Sequence, residues 1–460
     1  MNTPFIDNWN KPKAVPKVET KYRRIVTSIP VPESMPILEA LRKTEPVSFS
    51  GQPPVVWDRA SGIQIYDKWG NMWLDWSSGV LVANVGHSNN KIVDAIVSQA
   101  QYGLLHNYAF PSEIRAQLNE ELLKVSPEEF DRVFLLTTGS EATENAIKLA
   151  KAYGRSVGGE EKINFISFEQ GFHGRTLGAQ LAGGVTSLKN WIGTRDLSFV
   201  QVPFPDGFRT KDTSFELFER TLENNSIQPN TVCGVMLESY QGGGASFAPE
   251  KYVQELRKWC DYNSALLIFD DVQAGFGRTG TMFGFEHYNI IPDLFCPAKG
   301  FASSLPISAV VGRSEIMDLF GPGEMTSTHS GNPICAAAAL ANLAVIREQN
   351  IVENARDVGE LLQQQLSEIR NQFSEVIGAH HGRGLVGGLH VVKPGSEIPY
   401  GQLAMRTVRR AIEKGLMLFA PVGFGGATIK VCPPLVISKD AILEGAEVLR
   451  ESIEAALEPE

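Results

Sequence analysis

Short apolar runs alternate with helical patterns through the middle of the chain. The runs have the length of strands that are buried on both faces of a sheet. They lie at residues 133–136, 163–166, 199–202, 234–237, 266–269 and 307–311. After the first run, one apolar face recurs at helical spacing, formed by Ala142, Ala146, Leu149, Ala150 and Tyr153. This alternation predicts an α/β fold, in which helices cover both faces of a central, mostly parallel sheet.

The two ends of the chain carry different patterns. Residues 1 to about 30 contain four prolines and no sustained periodicity, which predicts an extended arm. Residues 63–67 and 72–76 alternate between apolar and polar around a polar tetrapeptide, as hairpins do. A long helical region follows residue 333 to about residue 373, then strand patterns near 385–392 and 416–420, and a last helix from about residue 440. We therefore predict a large domain at residues 76–345 and a smaller α/β domain that combines the arm and hairpin, residues 1–75, with residues 346–460.

Composition narrows the classes of function. The net charge of −10 argues against broad binding of nucleic acid or of an anionic membrane. The five cysteines lack C-x-x-C spacing, so we expect reduced thiols in a cytoplasmic protein and neither a disulfide framework nor a metal site. Residues 1–21 lack the apolar stretch of a secretory signal.

Candidate chemistry is concentrated after the apolar run at 266–269. That run ends in Asp270-Asp271, and ligands bind at the carboxyl ends of strands in open α/β sheets. Lys299 stands among apolar and small residues, where desolvation lowers the pKa of an amine and makes it a nucleophile. Such a pair suits pyridoxal phosphate: the lysine forms a Schiff base, and the carboxylate keeps the pyridine nitrogen protonated. The simpler interpretation is a helix cap and a solvated lysine.

Two further patterns bear on the ligand. Residues 275–280 satisfy G-x-G-x-x-G, which keeps a nicotinamide enzyme as a rival hypothesis. Four residues separate this pattern from Asp270, however, and glycine and aromatic residues follow it where a helix should begin, so we predict a loop. Thr138-Gly139-Ser140-Glu141 stands between a strand and a helix, where backbone amides bind anions; the alternative is a plain capping box.

The segment 270–280, followed by Pro292-Asp293 and Lys299-Gly300, closely resembles the signature of class III aminotransferases. Five more segments resemble that family in the same order: 137–142, 171–176, 238–244, 326–333 and 429–435. The resemblance, which is to the 4-aminobutyrate and ornithine branches, implies the aspartate-aminotransferase fold (fold type I), pyridoxal 5'-phosphate as cofactor, and a homodimer with shared active sites.

The resemblance also implies residue roles. Lys299 and Asp270 are the catalytic residues. The other cofactor contacts are Gly139 and Ser140 at the phosphate, Phe172 and Val272 on the two ring faces, Gln273 at the ring hydroxyl, Glu238, and Thr328 at the phosphate of the neighbouring subunit. The substrate contacts are Val80, Arg175 as a carboxylate ligand, and Lys430.

Three positions depart from the family pattern. Ser239 replaces a proline, Gly243 stands where many members have a second glutamate, and Lys430 replaces an arginine. In the 4-aminobutyrate and ornithine branches, the glutamate pairs with the arginine while the ω-amine substrate is bound, and its release lets the arginine hold the α-carboxylate of 2-oxoglutarate. The resemblance therefore implies that this switch cannot form here, because Gly243 and Lys430 occupy the two positions. We predict transamination from an amine or amino acid, with the amine in the ω position, to a small 2-oxo acid such as pyruvate. A racemase, epimerase or decarboxylase on the same scaffold, and a catalytically silent binding protein, remain as alternatives.

Overall fold

A computed structural model describes residue 9 and residues 11–193 and 196–458 of the chain. Its internal contacts define two compact units. One runs from Asn90 to Glu353, and the other joins the residues up to Asn89 with those from Asn354 onward. These limits differ from the predicted ones near residues 75 and 345. The reason is that the segment after the hairpin is tied to the C-terminal part of the chain, since Cys432 N donates to Trp76 O (2.9 Å) and Leu435 N donates to Asn84 O (2.8 Å).

The strands of the described residues are numbered along the chain. They are β1 Val18–Glu19, β2 Arg24–Ile25, β3 Arg59–Ser61, β4 Gln64–Tyr66, β5 Met72–Asp75, β6 Arg132–Leu136, β7 Asn164–Phe168, β8 Phe199–Val202, β9 Val232–Glu238, β10 Leu266–Asp271, β11 Leu294–Pro297, β12 Ser308–Gly312, β13 Ile377–Arg383, β14 Val386–Val391, β15 Leu416–Met417 and β16 Thr428–Val431.

The helices are numbered in the same way. They are α1 Met35–Thr44, α2 Ser78–Leu81, α3 Asn90–Tyr102, α4 Glu113–Lys124, α5 Gly139–Gly158, α6 Leu177–Ala182, α7 Glu216–Asn224, α8 Glu250–Tyr262, α9 Ser314–Met317, α10 Pro333–Glu348, α11 Ile351–Gln372, α12 Gly401–Glu413 and α13 Lys439–Leu457. Among the described residues, no helix combines the length and the apolarity that a membrane span requires.

A seven-stranded sheet forms the centre of the Asn90–Glu353 unit. Its order is β6-β12-β11-β10-β9-β7-β8. All neighbours are parallel except β12, which runs antiparallel to β11 and β6. The predicted fold class, a mostly parallel sheet with helices, is confirmed. The apolar runs correspond to six of these strands, and β11 is the strand that the pattern missed.

Helix α5 packs its apolar face against this sheet. Ala142, Ala146, Leu149 and Ala150 are fully buried there, and Tyr153 packs against the same core. The small side chains are needed for close approach, because a Cβ on Gly234 in β9 would come within 3.0 Å of the Ala150 methyl. The N-terminus of α5 is thus held rigidly at the edge of the sheet where β6 ends.

The other unit contains two sheets. In the first, β4 and β5 form the predicted hairpin, β2 extends it, and β15 pairs in parallel with β5. Strands β1 and β2 show that part of the predicted arm belongs to this sheet; two-residue strands are too short to produce a periodic pattern. Residues 1–8 and 10 of that arm lie outside the described residues. The second sheet is antiparallel, in the order β13-β14-β16.

Candidate active site

Three neighbouring strands of the central sheet place their carboxyl ends side by side. Glu238 in β9 pairs with Asp270 in β10, and Asp270 pairs with Cys296 in β11. Lys299 stands two residues after the end of β11. Because parallel strands end at the same edge of a sheet, the register brings the predicted lysine and carboxylates to one place.

Asp270 is 4% exposed and has two hydrogen-bond donors. His173 Nδ1 lies 2.8 Å from its Oδ2, and Val272 N donates to its Oδ1 at 3.1 Å. His173 is itself buried. Burial opposes a charge on His173, but the hydrogen bond and the negative charge of Asp270, with that of Glu238, outweigh it and raise the pKa of the imidazole. The hydrogen bond between His173 and Asp270 orients the Asp270 carboxylate at the end of β10.

Glu238 holds two loops at the rim of the sheet. Its Oε2 accepts from Phe172 N at 3.0 Å, and its Oε1 accepts from Gly242 N at 2.8 Å. Burial raises the pKa of this carboxyl to about 7. The predicted cofactor residue Glu238 therefore also positions the loop that carries the predicted ring-stacking residue Phe172.

Asp271 is directed into a separate environment. It is fully buried, Ser239 donates its hydroxyl to Oδ1, and Gly284 N donates to Oδ2 at 2.7 Å. Burial raises the pKa of Asp271 to about 7. Two successive acids thus have different partners, and Asp270 alone of the pair is bonded to His173.

Lys299 begins a short 3₁₀ turn, Lys299–Phe301, and is half-buried. Its φ of 44° lies in the left-handed region, which is uncommon for a residue with a side chain and is frequent at functional sites. Asn342 from α10 holds the turn by donating to Gly300 O (2.9 Å) and Phe301 O (2.8 Å). The lysine is therefore fixed from both the sheet and a buried helix.

The predicted phosphate turn caps α5. Thr138 Oγ1 accepts from Glu141 N at 3.3 Å, while Glu141 Oε2 accepts from Thr137 N and Thr138 N, so the capping box is present. The amides of Gly139 and Ser140 are in the first turn, where a helix offers them no internal acceptor. A Cβ on Gly139 would come within 2.9 Å of Val272 Cγ1, so only glycine lets Val272 pack directly on this turn.

Three other predicted residues lie around the same edge. Arg175 is exposed, its guanidinium lies 5.6 Å from the centre of the Phe172 ring, and its N donates to Ser140 Oγ at 3.3 Å. Gln273 follows Val272, and its carbonyl accepts from Tyr240 Oη at 3.3 Å. Thr328 is exposed, and its neighbour Ser327 donates to Glu141 Oε1 at 3.2 Å.

Val80 and Lys430 belong to the other compact unit. Val80 is 45% exposed and lies in α2. Lys430 is 2% exposed in β16, opposite Gly388 of β14.

The sequence analysis assigned no role to His173, and it did not identify the contact between Ser239 and Asp271. The signal for His173 was its place beside Phe172 in the loop after a buried strand. The partner, Asp270, is 97 residues away in sequence, so only the fold reveals the pair.

These residues suit the chemistry of pyridoxal phosphate. The first-turn amides of α5 and the side chain of Ser140 match a phosphate, the buried Asp270 matches a pyridinium, and Lys299 supplies an amine. His173 Nε2 is buried without a hydrogen-bond partner among the described residues, whereas Nδ1 lies 2.8 Å from Asp270 Oδ2. That arrangement directs the donor capacity of His173 to the carboxylate.

Comparison with known proteins identifies the family. The profile described as aminotransferase class-III matches residues 48–453. A probable 4-aminobutyrate aminotransferase of Bacillus subtilis is 32% identical, over 86% of this chain and 92% of that protein. An alanine/serine racemase of Pyrococcus horikoshii is 31% identical, over 99% and 97%. The crystal structure of a transaminase from the marine bacterium Virgibacillus superposes with a TM-score of 0.83 at 27% identity, over 92% of this chain and 99% of that one. The chain therefore belongs to the class III aminotransferases, enzymes that use pyridoxal 5'-phosphate to transfer amino groups.

Proposed function

We propose that this aminotransferase moves an amino group from an ω-amine or ω-amino acid donor to a small 2-oxo acid acceptor such as pyruvate. The observation that carries the choice of acceptor is Lys430, a lysine that is 2% exposed where the family resemblance expects an arginine. An ammonium group is a compact charge without the two-point fork of a guanidinium. It holds one carboxylate oxygen well but orients the second distal carboxylate of a dicarboxylic acid poorly.

The roles that we propose for the other residues come from the family resemblance, and their positions are compatible with them. Bound pyridoxal phosphate supplies the electron sink for the charge that forms when the substrate carbon loses its proton. Lys299 accepts and returns that proton at Nζ, as a general base and then a general acid. Asp270, oriented by His173, would face the pyridine nitrogen and favour its protonated form. Phe172 and Val272 would lie against the cofactor ring.

Arg175 binds the carboxylate of amino acid donors. Its guanidinium is exposed and lies beside the Phe172 ring, where a planar fork can take a carboxylate in two-point contact. Simple amines have no carboxylate and cannot make this contact. The preference of the enzyme for amino acid donors over simple amines therefore depends on Arg175.

We also propose a homodimer in which Thr328 reaches the phosphate of the neighbouring subunit. Thr328 is exposed, and the segment that carries it is bonded to a loop with exposed apolar side chains. Tyr108 Oη donates to Thr326 Oγ1 at 3.2 Å in that loop, where Phe110 is 72% exposed. Exposed apolar surface of this kind is typical of protein interfaces.

The test compares kcat/KM for pyruvate and for 2-oxoglutarate in the wild type and in Lys430→Met. We expect the wild type to prefer pyruvate, and Lys430→Met to lose at least about tenfold in kcat/KM for both acceptors, the size of one charge-assisted contact. Lys414→Met is the matched control, because Lys414 is paired with Glu451 on the surface of the same unit. A strong preference of the wild type for 2-oxoglutarate that survives Lys430→Met contradicts the proposal.

The racemase relative supports a second candidate function, because its similarity extends over 99% of this chain. The same assay separates the two. A transaminase forms a keto product in proportion to the acceptor consumed, whereas a racemase inverts an amino acid and forms none.

A further inference from the structure

Helix α2, Ser78–Leu81, is a single turn of left-handed helix. Its four φ angles are 49°, 57°, 66° and 63°. Leu81 N donates to Ser77 O and Val82 N donates to Ser78 O, both at 2.9 Å, so consecutive bonds of helical spacing close the turn. Residues with a Cβ disfavour this conformation, and β-branched residues disfavour it most.

Val80 is the most strained residue of the turn, with φ 66° and ψ 58°. Burial within its own unit does not offset that strain, because the side chain is 45% exposed. Glycine or asparagine would adopt the same backbone at lower cost. A strained and exposed valine therefore indicates a side chain that is retained for contact with a ligand.

Ser78 ties this turn to the strand that carries Lys430. The Ser78 side chain is fully buried, and its hydroxyl donates to Cys432 O at 2.6 Å. Cys432 N in turn donates to Trp76 O at 2.9 Å, and Cys432 Sγ contacts Ser77 O. Cys432 follows β16 and stands two residues after Lys430. Val80 and Lys430 are thus fixed relative to each other by bonds inside one compact unit.

The other end of the turn is also fixed. Asp75 is fully buried, and its Oδ1 accepts from Ser77 N at 2.7 Å and from Ser77 Oγ at 2.6 Å. His87 Nε2 lies 2.7 Å from Asp75 Oδ2. The turn is therefore anchored by a carboxylate before it and by Cys432 beside it.

We propose that Ser78 is a positioning residue that sets the distance between Val80 and Lys430, and that this fixed distance selects 2-oxo acids by chain length. The inference rests on the proposed function, since it takes Lys430 as the acceptor-carboxylate ligand and Val80 as a substrate contact. With its carboxylate at Lys430, a short acceptor ends before Val80, and each added methylene is pressed against the valine. Removal of the Ser78 hydroxyl lets the strained turn relax, which moves Val80 and weakens the selection.

The experiment measures kcat/KM for pyruvate, 2-oxobutyrate and 2-oxopentanoate with the holoenzyme. We expect the wild type to lose about tenfold or more per added methylene, the lower range for one methylene in a pocket. Ser78→Ala should reduce each step to about threefold or less, with kcat for pyruvate and the cofactor absorbance retained. Ser88→Ala is the matched control, because Ser88 also has a positive φ of 51° and its hydroxyl donates to Ala60 O at 2.8 Å.

Val80→Gly keeps the proposal testable if Ser78→Ala does not fold, because glycine favours the left-handed turn. It should reduce the loss of kcat/KM per added methylene, as Ser78→Ala does. Because Ser78 acts through Val80, the double variant should show no smaller loss per methylene than Val80→Gly alone. Full length selection in Val80→Gly, or in a folded Ser78→Ala, overturns the inference. If the wild type strongly prefers 2-oxoglutarate and Lys430→Met does not change that preference, the proposed function fails instead.

Discussion

Asp270→Asn separates the charge of the carboxylate from its shape. In the wild type, Oδ2 faces His173 Nδ1 at 2.8 Å and Oδ1 accepts from Val272 N at 3.1 Å. An asparagine has one oxygen, so one of these two donors faces an amide NH₂ instead. The lost hydrogen bond to a buried partner costs about 1–3 kcal/mol of folding stability. The fold should therefore survive with a lower Tm.

The catalytic loss should be larger than the structural one. A neutral amide cannot stabilise a pyridinium, so we expect kcat to fall at least about 10²-fold, or about 2.7 kcal/mol in the activation free energy. The assay is the rate of a single half-reaction with an amine donor, followed by cofactor absorbance, together with Tm and cofactor content.

Asp271→Asn is the control for this experiment. Asp271 also has two donors, the Ser239 hydroxyl and Gly284 N, so its asparagine variant loses an acceptor in the same way. Burial raises the pKa of Asp271 to about 7, and the residue has no contact with His173 in the described structure. It should lose stability but keep kcat within about tenfold. Equal losses of kcat in both variants, or wild-type turnover in Asp270→Asn, would refute the assignment of the pyridinium partner.

Two other substitutions test the remaining contacts. Lys299→Ala should abolish turnover and remove covalent attachment of the cofactor, which borohydride reduction and mass measurement detect; turnover within tenfold of the wild type would exclude Lys299 as the cofactor lysine. Arg175→Ala should raise KM for carboxylate-bearing donors about tenfold or more and leave KM for simple amines nearly unchanged, the loss of one charge-assisted contact. An equal change for both donor types would show that Arg175 does not bind the donor carboxylate.

Six of the seven strands of the central sheet were visible in the sequence, whereas β11 was not. The predicted run at 199–202 has the same first and last residues as β8. The run at 266–269 matches β10 except for the two acids at its end. Strand β11, Leu294–Pro297, was missed because its apolar part is three residues long and ends in proline. The left-handed turn was also missed, since a serine, a valine and a leucine give no local signal for positive φ.

The site residues also differ in whether the sequence alone could place them. Residues that act through local geometry, such as Gly139 and Ser140 at the start of a capped helix, could be placed from their neighbours in sequence. The pairing of His173 with Asp270 could not, because it depends on the register of β7, β9 and β10. The roles assigned to Val80, Arg175 and Lys430 remain predictions that the experiments above test, and the role of Thr328 also remains a prediction.

The position of β6 at the end of the central sheet affects the order in which the parts of the site come together during synthesis of the chain. Strand β6 leads directly into the phosphate turn, yet its neighbour in the sheet is β12, and Ser308 Oγ donates to Thr138 O across 170 residues at 2.7 Å. A growing chain therefore has Gly139 and Ser140 long before it has the strand that frames them. Contacts of such long range form slowly, because closing a long loop costs entropy before the contact repays it. We therefore expect the phosphate turn to reach its final position only after β12 has paired with β6, so binding of the cofactor phosphate should follow assembly of the central sheet.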